Sequence, residues 1–150
     1  MLEKIINFGM MTSLALLSII ISLEVFSRYF FRLPLPWSTD FNRFFFVYLI
    51  FLGAVAGVRE KAHLNIDIII ERFPKKIRAV WEIIINVLII LFLIALMLGG
   101  TRFAIDNFFQ VTPYLMISIS YYYVVIPFSA LIMIYYLLFQ IKDQIIDIHK

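Results

Sequence analysis

Four long apolar runs dominate this chain, at residues 5–27, 41–58, 79–100 and 117–139. A helix needs about 20 residues to cross a hydrocarbon core of about 30 Å, and the runs approach or exceed that length. Strands of a membrane barrel would alternate apolar and polar side chains with period two. These runs are apolar on every face, which suits helices that satisfy their own backbone groups. The whole chain of 150 residues is 63% hydrophobic and only 15% charged. Soluble domains carry about 45–50% apolar and about 25% charged residues, so a water-soluble globule of this size is excluded. Disorder is excluded as well, because it needs low hydrophobicity and high charge. The sequence predicts an all-α integral membrane protein: four transmembrane helices in a bundle, forming a single membrane domain over residues 1–150. The first run is too long for a signal-peptide core and is followed by no small-x-small cleavage site, so it is expected to be an uncleaved span.

Charge sets the expected orientation. Four spans place both termini on one side, together with the loop between spans 2 and 3. That side carries Lys4, Arg59, Lys61, Arg72, Lys75, Lys76, Arg78, Lys142 and Lys150. The other side carries Arg28, Arg32, Arg43 and Arg102. The excess of basic residues favours cytoplasmic termini. The net charge of +3 then reflects topology rather than nucleic-acid binding. Trp37 and Trp81, Tyr121 to Tyr123, and Tyr135 with Tyr136 fall near span ends, where aromatic belts form.

The loops carry pattern too. Over residues 64–73, Ile66, Ile69, Ile70 and Phe73 share one helical face, with Asp67, Glu71 and Arg72 off it. This predicts an amphipathic interfacial helix in the cytoplasmic loop. A strand is the alternative, since Leu64, Ile66, Ile68 and Ile70 also alternate, but an unpaired strand edge at a membrane is costly. Pro74 would end that helix, and Lys75, Lys76 and Arg78 would face anionic phospholipid headgroups. On the outer side, Pro34, Pro36 and Pro113 punctuate the loops, and residues 102–109 are expected to extend the third helix, pairing Arg102 with Asp106. Pro127 lies inside the fourth span, where Ser129 is a candidate to satisfy a freed carbonyl.

Ionisable residues inside spans are functional candidates by default; here they sit near span ends. Glu24, Arg28, Asp40 and Arg43 form an expected charged cluster at the outer interface, either pinning the first two helices or touching a partner. Glu82 starts the third span four residues after Arg78, as in a surface ion pair, and Asn86 is placed to bond a neighbouring helix. Gly53 and Gly57 form a small-xxx-small pattern that permits close packing, within the bundle or against another chain. The chain has no cysteine, and His63 and His149 lie outside the spans, so thiolate, haem and metal chemistry lack ligands. No phosphate loop, nucleophile–base pair or midplane carboxylate cluster is present; the reading is no enzyme and no cofactor. A complete secondary transporter would show internal repeats and broken helices around a midplane site, and these are missing too.

Several of these residues carry a family resemblance. Arg28-Tyr-Phe-Phe-Arg-Leu-Pro-Leu-Pro-Trp37, followed by Asp40 and Arg43, then Phe51-Leu-Gly-Ala-Val-Ala-Gly-Val-Arg59 and His63-Leu-Asn-Ile-Asp67, resemble the small membrane subunit of tripartite ATP-independent periplasmic (TRAP) transporters, the DctQ type. Thr112-Pro113 and Ile126-Pro127 are weaker points of similarity. Where that family often has Glu beside or in place of the acid after the Trp, this chain has Thr39-Asp40. The resemblance implies a small subunit in the bacterial inner membrane that scaffolds a large, sodium-coupled elevator subunit. It implies a transient partner as well, a periplasmic substrate-binding protein delivering an organic acid of the sialic acid or dicarboxylate type. No substrate or ion residue carries over. The expected partner-contact or structural residues are Glu24, Arg28, Trp37, Asp40, Arg43, Gly53, Gly57, Arg59, His63 and Asp67. Rival readings are a small four-helix proton-coupled exporter, a redox-enzyme anchor, and an assembly subunit of another membrane complex. The exporter needs a carboxylate near the middle of the first span, where residues 14–18 have none.

Overall fold

In a computed structural model the residues described are 2–60 and 75–148. The order is α1 (Leu2–Phe26), a π-helical turn (Ser27–Phe31), α2 (Pro36–Arg59), α3 (Lys75–Asp106), the single turn α4 (Ser120–Tyr123) and α5 (Val125–Ile148). Four of these helical stretches are long and apolar enough to cross a membrane. The interfacial helix expected over 64–73, with His63 and Asp67, lies outside the described residues.

Helix ends follow local chemistry more than the limits of the apolar runs. The first helix widens into its π turn and stops at Arg32, whose φ of 54° is left-handed. The residue after it precedes Pro34, a position steered away from helix. The Ser27 hydroxyl closes the end by donating to the Leu33 carbonyl at 2.9 Å. The second helix starts at Pro36, five residues before its apolar run, because proline is pre-set for a first helical turn. Ser38 is fully buried there and donates to the Leu35 carbonyl at 2.6 Å. With 32 residues, α3 is about 48 Å long, so it overhangs a hydrocarbon core of about 30 Å. It reaches Asp106 but not residue 109, and so realises most of the extension expected for it.

The fourth span starts later than its apolar run. Residues 117–119 belong to the preceding loop, and the helix begins at Ser120. It is interrupted at Val124, one turn before Pro127. Proline lacks an N–H and its ring crowds the carbonyl four residues back, here Tyr123. Ser129 does not compensate as expected. It is 1% exposed and its hydroxyl makes no hydrogen bond.

Among the described residues the long helices pack in the order α1, α2, α5, α3. The apolar core lies between α2, α3 and α5 toward the end carrying the termini. It is built from Val55, Val58, Leu93, Ala130, Met133 and Leu137, with Ile6 from α1. In three of the four spans only 17% of the most apolar stretch is covered by the rest of the chain. That much exposed apolar helix is at home only against lipid or another membrane protein.

Candidate partner-binding surface at the loop end

Residues 107–119 fold back as a short antiparallel turn that the sequence does not advertise. Val111 pairs with Ser118. The Thr112 amide donates to the Ile117 carbonyl at 2.9 Å, and the Ile119 amide to the Gln110 carbonyl at 2.8 Å. The Thr112 hydroxyl oxygen accepts from the Ile117 amide at 3.3 Å, and Ser118 donates to the Phe108 carbonyl at 2.6 Å. Met116, with φ of 54°, takes the left-handed position that reverses the chain.

Asp40 fixes this turn to α2. Its Oδ2 accepts the amides of Tyr114 at 3.1 Å and Leu115 at 3.0 Å, and the residue is only 6% exposed. A carboxylate that receives two backbone N–H groups satisfies both donors with charge-assisted bonds, about twice the strength of neutral ones. Asp40 is therefore the clasp between the second helix and the second loop. Its partner is backbone, not an arginine.

The other three members of the expected charged cluster divide. Glu24 pairs with Arg28 at 3.1 Å and also accepts from the Asn42 amide group at 3.1 Å, which joins α1 to α2. Arg43 instead donates to the Tyr123 hydroxyl, with its guanidinium 5.4 Å from the Tyr123 ring centre. Phe103 meets that ring edge-on at 4.9 Å, so α2, α3 and α4 converge on one tyrosine. Tyr122, buried, stacks edge-on against Phe44 at 5.3 Å, and Tyr48 donates to the Tyr121 carbonyl at 3.0 Å. Trp37 packs edge-on against Phe41 and stays part-exposed. Beyond this framework, large apolar side chains are exposed among polar ones: Tyr29, Phe30 and Phe31 in the π turn, and Phe109, Tyr114 and Met116 in the second loop.

At the opposite end Arg59 donates to Asn7 at 3.3 Å and to Glu60 at 2.7 Å. Gln140, buried, donates to the Val58 carbonyl at 2.8 Å. Gly53 faces α1, but a Cβ there would meet only Met10 Sδ at 3.9 Å, an ordinary contact. Gly57 is half-buried. The tight glycines are others. A Cβ on Gly9 would meet Leu52 at 3.0 Å, and one on Gly100 would meet Ile126 at 2.8 Å. The Gly99-Gly100 pair inside an apolar run was the available signal. Among the described residues no group of His, Asp or Glu is gathered to hold a metal ion.

Four lipid-length apolar helices capped by a hydrogen-bonded loop end define a multi-pass membrane protein. The comparison with known families goes further. Residues 17–146 match the family described as tripartite ATP-independent periplasmic transporters, DctQ component, and the chain belongs to that family. It is 33% identical over 135 residues to a Haemophilus influenzae protein provisionally named a TRAP transporter small permease protein, covering 87% of this chain and 82% of that one. It is 24% identical over 134 residues to the sialic acid TRAP transporter small permease protein SiaQ of Vibrio cholerae, covering 89% and 76% of the two. It is also 28% identical over 122 residues to the sialic acid TRAP transporter permease protein SiaT of Haemophilus influenzae. That match spans 81% of this chain but only 20% of SiaT. The protein is thus a small permease subunit of a TRAP transporter, a transport component rather than an enzyme.

Proposed function

We propose that this subunit anchors and orients a large multispan permease subunit, which carries the substrate and sodium sites and moves them by an elevator motion. The observation that carries this reading is the match to SiaT, in which a segment resembling this chain occupies one fifth of a much longer permease. A natural fusion of that kind places the two parts side by side in one membrane. The physical character of the chain supports it. Its spans expose apolar surface and carry their ionisable groups near the ends, as suits a static element rather than a conduit. The substrate class is an organic acid of the sialic acid or dicarboxylate type, as in the names of related subunits. The location is the bacterial inner membrane with both termini in the cytoplasm, following the excess of basic residues on that side. The clasped loop, with the exposed aromatics around it, would then face the periplasm and a substrate-binding protein. Glu24, Arg28, Trp37, Asp40 and Arg43 shape that face, whereas Gly53, Gly57, Arg59, His63 and Asp67 act in packing and at the cytoplasmic end.

Co-purification tests the reading. The tagged chain, expressed with its adjacent open reading frames and extracted in mild detergent, is expected to elute with a stoichiometric multispan protein. A stable homo-oligomer without a larger partner would overturn it.

A further inference from the structure

A second surface is independent of the clasped loop. Between α3 and α5 a groove of about 800 Å³ opens outward just below the loop end. Its walls are Leu98 and Ile105 on one side and Phe128 and Leu131 on the other, all strongly exposed. Arg102 and Asp106 stand at its rim. From Val124 to Ile132 the groove descends eight residues along the helix, about 12 Å. Its volume falls within the range of about 300–1,000 Å³ typical of small-molecule sites.

We propose that this groove holds one phospholipid with a primary-amine headgroup, of the phosphatidylethanolamine type. The rim supplies both charges that such a headgroup needs, in matching order. Arg102 is a five-donor fork suited to a phosphate, and Asp106 is an acceptor for an ammonium group. Their mutual contact is stretched to 4.0 Å, and their side chains are 87% and 66% exposed. An exposed pair at that separation is worth little to either partner, so both heads are available. A purely anionic headgroup would set negative charge beside Asp106. A quaternary ammonium would offer that carboxylate no N–H.

The walls favour an acyl chain over a protein helix. Helix–helix contacts in membranes are built on small residues that let backbones approach. Here bulky side chains dominate the lining, with leucine, isoleucine, phenylalanine and methionine, and Thr101 is its one small residue, with its hydroxyl turned back to the Met97 carbonyl at 2.7 Å. Gly100 is taken up internally, against Ile126 and Pro127, and does not open the groove to a partner helix.

Native mass spectrometry of the full chain in detergent tests the assignment, with phosphatidylethanolamine, phosphatidylcholine and phosphatidylglycerol of identical acyl chains. Phosphatidylethanolamine is expected to be retained roughly threefold better than phosphatidylcholine, the scale of one exposed ionic contact. Asp106→Asn should erase that preference, and Arg102→Gln should weaken retention of all three lipids. Leu131→Trp, which fills the groove, should lower all three while helical content by circular dichroism stays unchanged. Equal retention of the three lipids, or indifference to Arg102→Gln, would overturn the proposal. So would cross-linking of Leu131→Cys, the single thiol in a cysteine-free chain, to a protein partner in native membranes.

Discussion

Val55 and Leu137 are buried among apolar neighbours in the half of the molecule that carries the termini. At the loop end the buried residues include Ser38, Asp40 and Thr112, each engaged in hydrogen bonds. The difference follows from the solvent on each side. Within the bilayer, lipid tails are as apolar as leucine, so burying a valine between helices gains packing but little from desolvation. At the surface water competes for every polar group, and only directed, multiply satisfied bonds define a loop's shape. The helices are thus assembled by fit, and the loop by satisfied donors.

The sharpest way to break this comparison is Asp40→Ala. Two charge-assisted bonds are lost and two loop amides are left without their acceptor, a loss on the order of 3 kcal/mol. Hydrogen exchange at Tyr114 and Leu115 should accelerate roughly 100-fold, with the α2–α5 contacts at the other end unaffected. Equal acceleration at both ends would mean that they form one cooperative unit. Next in size is Gly100→Leu. With Ile126 already 2.8 Å from a Cβ at that position, overpacking should cost about 1–3 kcal/mol, read as a lower thermal midpoint in detergent. Gly53→Ala has only the distant Met10 sulfur to meet, and should leave that midpoint unchanged or raise it. A small loss is expected of Gln140→Leu, which removes the donor to the Val58 carbonyl. Interhelical hydrogen bonds in membranes average about 0.6 kcal/mol, so a shift beyond the Gly100→Leu effect would show that polar bonds govern this half too.

The same division explains what the sequence makes legible. Spans are recognisable because lipid demands about 20 apolar residues regardless of what surrounds them, and all four are found. Their ends are less so, because polar residues such as Asp40 continue a helix past the hydrocarbon. The Glu24–Arg28 pair is a local i, i+4 relation and is visible in advance. The Asp40 clasp is not, because its partners are backbone amides 74 and 75 residues away with no side-chain signature. The partner of Arg43 is hidden for a similar reason: the expected cluster names none, and the fold brings a tyrosine from the fourth span. Pattern reading also favours Gly53 and Gly57 for their spacing, whereas the close approach at Gly100 depends on Ile126 and Pro127 of the fourth span lying against it, a relation between distant residues.

The π turn at Ser27–Phe31 has a consequence for phase. Widening one turn adds about one residue to it, which rotates everything downstream by about 100° relative to an unbroken α-helix. Glu24 sits before that rotation and keeps its hydrogen bond from Asn42 of α2. Tyr29, Phe30 and Phe31 sit within it, and the chain delivers them outward. The bearing of this aromatic ridge is thus set by a residue count. Deleting Ser27 or Arg28, which precede the ridge in the turn, would swing it round the helix axis with its three aromatic side chains intact.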